Sequence, residues 1–142
     1  MKEYGRLIGF DVGTKKIGVA RTDLLQTIPN PVGTFAPDEI FDKLEVFVEK
    51  DRIITFVVGW PLTPVGEEGE ATDMVEKFIK ELVARFPNIP IVKVDERYTT
   101  KEAVKAMVEA GVPRMKRRDK RRVDRAAAAL ILQKYLDEAY NQ

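Results

Sequence analysis

Apolar residues in this chain fall into runs of two periods, and the switch between them predicts the fold. Arg6 to Val12 (RLIGFDV) is apolar on both sides of a two-residue period, as in a strand buried mid-sheet. Gly13-Thr14-Lys15-Lys16 interrupts it and Ile17-Gly18-Val19-Ala20 resumes, a connection short enough to predict an antiparallel hairpin. After the proline-punctuated Pro29-Asn30-Pro31, Val32 to Phe35 predicts a third strand. The period then becomes helical. Pro37-Asp38-Glu39 opens a helix with apolar Ile40, Phe41, Leu44, Phe47 and Val48. Ile53 to Val58 predicts a β-branched strand, and a loop rich in Gly, Pro and Glu runs from Gly59 to Gly69. A second helix carries its stripe at Met74, Val75, Phe78, Ile79, Leu82, Val83 and Phe86, and Ile89 to Val94 predicts a fifth strand. Thr99 with Glu102 makes a capping-box start, and Gly111 followed by Pro113 a stop, for a helix over about 100–110. A final helix spans roughly Lys120 to Tyr140.

Three strands joined by short turns, then alternating helices and strands, predict one α/β domain over residues 1–142. Its sheet is five-stranded and mixed, an antiparallel three-strand meander plus two parallel strands, with helices on both faces.

Composition narrows the chemistry. With no His and no Cys, the chain cannot assemble a Ser-His-Asp triad, a Cys-His pair or a His/Cys zinc site. Acids, bases and ligands must come from Asp, Glu, Lys, Tyr or a hard metal ion. No apolar run approaches the ~20 residues that span a bilayer, and Met1 to Tyr4 leads into a strand rather than a signal peptide. The expectation is a cytoplasmic protein without a membrane partner.

Asp11 is the strangest residue of the first strand, a carboxylate between Phe10 and Val12 near the carboxyl end. Open α/β sheets place their sites at that end. Buried there, it must be hydrogen-bonded, paired or metal-bound; the plainer alternative is an Asp that starts the Gly13 turn. Asp95 and Glu96 follow the fifth strand. Strand alternation sends them to opposite faces, so one faces the site, and Glu96 is the choice. Arg97 beside it is a candidate phosphate ligand, against a plain surface salt-bridge cluster. Asp124 lies early in the last helix, where an acid also suits the helix dipole. Ala127, Ala128, Ile131 and Tyr135 share its face, and small residues let a helix lie close to a sheet. Asp11, Glu96 and Asp124 are therefore the candidate catalytic and metal-ligating set. Hard oxygen ligands select Mg²⁺ or Mn²⁺, and two such ions about 4 Å apart can activate water and stabilise a leaving oxygen.

The net charge of +1 hides an asymmetry. Arg114 to Arg125 holds eight basic residues against two acidic, a net +6, leaving −5 for the rest. Arg114, Lys116, Arg117, Arg118, Arg121 and Arg122, with Lys16 in the first turn, are candidate nucleic-acid contacts. The run lacks aromatic residues, which favours backbone contact over base stacking. Trp60, the lone tryptophan, could stack on a base or plug the core.

Four segments together resemble the signature blocks of the YqgF family, bacterial proteins also described as RuvC-like Holliday-junction resolvases. They are Gly9 to Ala20 (GFDVGTKKIGVA), Val57 to Leu62 (VVGWPL), Val94 to Thr100 (VDERYTT) and Val123 to Gln133 (VDRAAAALILQ). They occur in order and cover essentially the whole chain. The resemblance implies a ribonuclease H-like fold and a nuclease that matures the 5′ end of pre-16S ribosomal RNA. It also implies a cytoplasmic location, with structured RNA, pre-ribosomal particles or branched DNA as partners. The family's acidic positions fall on Asp11, Glu96 and Asp124. Two departures stand out: Trp60 replaces a common Leu, and Thr63-Pro64-Val65 replaces an Asn-containing stretch. The first block also resembles the phosphate hairpin of actin-like ATPases, but those close two such domains around a nucleotide. A non-catalytic RNA- or ribosome-binding module is the alternative of another class.

Overall fold

The computed structural model describes residues 4–97, 105, 108–111 and 120–140, with backbone alone for 120–125 and 140. Among the described residues five strands and three helices follow in order: β1 (Arg6–Val12), β2 (Ile17–Thr22), β3 (Pro29–Phe35), α1 (Ile40–Lys50), β4 (Ile53–Trp60), α2 (Glu70–Arg85), β5 (Ile91–Asp95) and α3 (Lys120–Tyr140). The strands form one sheet in the order β3-β2-β1-β4-β5. β1 pairs antiparallel with β2 and parallel with β4; β2 pairs antiparallel with β3, and β4 parallel with β5. This is the mixed sheet that the period changes predict, with β1 at its centre.

Several boundaries differ from the sequence reading, each for a local reason. β3 begins at Pro29 because an edge strand tolerates prolines, which lack an N–H to donate outward. β4 continues through Gly59 to Trp60, whose carbonyl accepts the Glu96 N–H at 3.1 Å and carries the ladder past the expected end at Val58. β5 starts at Ile91, after a turn in which the Ile89 N–H donates to Phe86 O and Pro90 O accepts the Phe56 N–H. Residues 37–39 form a turn ahead of α1, with the Glu39 carboxylate accepting the Ala36 N–H at 2.7 Å. The capping pair Thr99 and Glu102 lies outside the described residues. Lys105, Val108 and Glu109 are helical, and Gly111 takes φ +77°, the left-handed stop expected of it.

Helices cover both faces of the sheet. On one face Ile8, Phe10 and Val12 of β1, with Phe56 and Val58 of β4, pack under Ile40, Phe41 and Leu44 of α1 and Val75, Phe78, Ile79 and Leu82 of α2. Phe10 sits at the middle, edge-on to Phe56 at 5.6 Å and to Phe78 at 5.2 Å between ring centroids. On the other face Leu7, Ala20, Val57 and Val94 pack under Ala128, Ile131, Leu132 and Leu136 of α3. The helix lies close because β1 presents a glycine there. A Cβ on Gly9 would come within 2.5 Å of Leu132 Cγ and 3.1 Å of the Ala128 carbonyl oxygen.

Candidate active site at the carboxyl edge of the sheet

Strand alternation determines which acids share a face. Leu7 of β1, Val57 of β4 and Val94 of β5 all lie under α3. Counting onward in steps of two, four residues from Leu7 and two from Val57 and Val94, places Asp11, Gly59 and Glu96 on that same face, at the carboxyl ends of three adjacent parallel strands. The Asp11 and Glu96 side chains are hydrogen-bonded to each other. Burial first, then the negative charge of Asp11 and that hydrogen bond, with a further contribution from Asp95, push the Glu96 carboxyl up to about 9. The pair therefore holds a proton at neutral pH that separate carboxylates would release. The 13–16 turn, meanwhile, is closed by its own backbone, Gly13 N–H to Lys16 O at 3.0 Å.

Asp95 takes the other direction. Its carboxylate receives Arg97 Nε at 2.9 Å, Arg97 Nη2 at 2.7 Å and the Arg97 backbone N–H at 3.0 Å. The hydrogen bonds from the Arg97 side chain are the largest influence holding its carboxyl below the usual range. Arg97 also extends Nη1 to the Pro64 carbonyl at 3.4 Å. Its guanidinium thus links the end of β5 to the 61–69 loop. Trp60 lies on the face of α1 and α2, partly buried against that core, with Lys93 Nζ 3.9 Å above its ring.

Position 124 is one turn before Ala128 and two turns before Ile131, both buried against the sheet. The Asp124 side chain lies outside the described residues. Arg121 and Arg122 occupy the first turn of α3, described as backbone, and Arg114, Lys116, Arg117 and Arg118 lie outside the described residues. Lys16 is half-exposed at the end of the 13–16 turn. Among the described residues no three His, Cys, Asp or Glu side chains form a group able to hold a metal ion; Asp11 and Glu96 supply two carboxyls.

Two participants escape sequence reasoning. Lys134 of α3 donates Nζ to the Asp95 carbonyl at 2.6 Å, fixing the peptide that leads into Glu96. No local pattern marks a lysine on an exposed helix face for that contact. Gly59 lies between the two strands whose acids meet. Here a signal does exist, because a glycine ending a β-branched run marks close approach.

A five-stranded sheet with this order and mixed pairing, covered by helices and carrying one acid at the end of its central strand and another after β5, defines the ribonuclease H-like class. Residues 5–138 match the RuvX family, described as Holliday junction resolvase. A protein of Salinibacter ruber named "Putative pre-16S rRNA nuclease" is 46% identical over 137 residues, covering 96% of each chain. Proteins of the same name from Porphyromonas gingivalis and Chlorobaculum tepidum are each 41% identical, covering 94% of this chain and 96% and 94% of theirs. The chain belongs to the RuvX Holliday junction resolvase family, the one its four sequence blocks resemble. Among the described residues no helix is long and apolar enough to cross a membrane.

Proposed function

We propose that residues 1–142 work as one domain, a cytoplasmic metal-dependent endonuclease whose Asp11, Glu96 and Asp124 hold Mg²⁺ or Mn²⁺. The observation that carries this reading is the Asp11–Glu96 pair. Two carboxyls meet from strands that are not neighbours, against both burial and like charge. Such a pair costs stability until a proton or a cation joins it. The donors are all hard oxygens in a chain without His or Cys, which suits Mg²⁺ or Mn²⁺ and not zinc. When bound, such ions activate a water and stabilise the leaving oxygen of a phosphodiester.

The chain's own residues supply the rest. β1 fixes Asp11, and Lys134 fixes the peptide from which Glu96 departs. Lys16, Arg114, Lys116, Arg117, Arg118, Arg121 and Arg122 bind phosphates flanking the cut, without reading bases. Arg97, engaged by Asp95, acts by holding the 61–69 loop in place.

The substrate is pre-16S rRNA, cut while its 5′ end matures in pre-ribosomal particles, a reading supported by the names of the relatives. Branched DNA is the second reading, favoured by the family's description. Purified protein offered a pre-16S leader transcript and a four-way DNA junction, each with Mn²⁺, separates them. Discrete RNA cleavage with a slow or uncut junction is expected. Cleavage of the junction alone supports the second reading. Salt-sensitive binding of both with no cleavage of either makes the chain a binding module.

A further inference from the structure

Glu96 leaves the end of β5, whereas Asp11 stands on β1, and β4 runs between them. Two inter-strand spacings separate the backbones by roughly 9–10 Å. A glutamate bridges that distance only by crossing over β4, and the residue it crosses is Gly59, on the same face. A Cβ on Gly59 would stand 2.8 Å from Glu96 Cδ and 2.9 Å from Glu96 Oε2. It would also stand 2.6 Å from Ile131 Cδ1 of α3. The Ile131 methyl is the far end of a flexible side chain and can turn away. The Glu96 carboxyl is hydrogen-bonded to Asp11, so it yields to a side chain at position 59 only by shifting away from that partner.

We infer that Gly59 is a positioning residue: the bare backbone of β4 is the passage through which Glu96 reaches Asp11, and any side chain there closes it. This rests on the nuclease reading for its consequence in catalysis, though not for its geometry. It distinguishes Gly59 from Gly9, whose missing Cβ accommodates Leu132 and the Ala128 carbonyl.

A double-mutant cycle on melting temperature tests the geometry without any need for activity. Gly59→Ala is made in the wild-type chain and in a Glu96→Ala chain, where nothing crosses β4. Overpacking a buried site shifts melting by roughly 5 °C in a domain of this size. The expected result is that shift in the wild-type background and less than about half of it beside Glu96→Ala. Equal losses in both backgrounds, including failure of both to fold, overturn the inference and leave Ile131 packing as the cause.

Gly59→Ala combined with Ile131→Val removes the helix clash and keeps the crossing clash. Folded double variant should bind Mn²⁺ at least tenfold more weakly by calorimetry. It should lose about a hundredfold in kcat on an RNA substrate with KM little changed, as misplaced catalytic groups do. Ion affinity and kcat within twofold of the wild type would overturn the inference. If Glu96→Gln itself still cleaves at the wild-type rate, the nuclease reading fails instead, and the melting cycle still decides the geometry.

Discussion

Replacing Glu96 by Gln should stabilise the metal-free protein while ending its activity. In the folded chain the carboxyl is raised from 4.5 to about 9 by burial and by Asp11. A raised acid favours the folded state fully below its unfolded value and loses that contribution as pH climbs through the folded value. At pH 7 the pair therefore carries a penalty set by the gap between that pH and the ordinary 4.5, about 3 kcal/mol at most. Gln cannot ionise, and its NH₂ can donate to the Asp11 carboxylate, so the variant escapes most of that penalty. For a domain of this length the melting temperature should rise by roughly 5–10 °C at pH 7 in EDTA. The gain should shrink towards zero near pH 4.5, where the wild-type carboxyl is already protonated, and grow up to about pH 9. Circular dichroism melts of both proteins across that range give the difference directly. A variant that melts below the wild type at pH 7, or a difference unaffected by pH, would refute the electrostatic reasoning.

Other consequences follow from neighbouring contacts. Arg97→Ala should cost about 1 kcal/mol, since the pair with Asp95 is only partly buried. Because the Asp95 carboxyl is depressed, that contribution is present above the ordinary carboxylate range and fades as pH falls through the folded value; urea unfolding at pH 7 and pH 3 checks it. Phe10→Ala should cost roughly 3–5 kcal/mol, because the ring is fully buried between Phe56 and Phe78 and its removal leaves a cavity; a denaturant midpoint moved by much less would show that the two helices collapse inward. Arg121→Gln with Arg122→Gln should lower the slope of log K against log salt for single-stranded RNA by about 0.7 for each phosphate no longer neutralised. An unchanged slope in a filter-binding titration would remove those two positions from the interface.

Most of the architecture is legible in residue periods, because a buried β1 and two amphipathic helices leave strong signals. β3 is less so. Its Pro29 and Pro31 read as punctuation, and only the sheet order shows that they sit on an edge where prolines do no harm. The separation of Asp95 from Glu96 follows from alternation, and so does the crossing of Glu96 to the α3 face. What alternation cannot convey is distance across the sheet. That Glu96 reaches over a whole strand depends on the register of β1, β4 and β5 and on a glycine in the middle one. Lys134 is invisible for a similar reason, since its carbonyl partner lies 39 residues away and belongs to the backbone. Arg97 shows the converse. A basic residue beside an acidic pair reads either as a phosphate ligand or as a salt-bridge partner, and only the structure shows its fork on the carboxylate two residues earlier.

Whether the Asp11–Glu96 pair holds a catalytic cation is decided by cleavage of a pre-16S leader transcript by wild type and by Asp11→Asn, with Mg²⁺, with Mn²⁺ and with EDTA. The wild type should cleave with either ion and not in EDTA, and Asp11→Asn should lose roughly a thousandfold or more whichever ion is supplied. Cleavage that survives both chelation and the substitution would mean that no ion held there is needed.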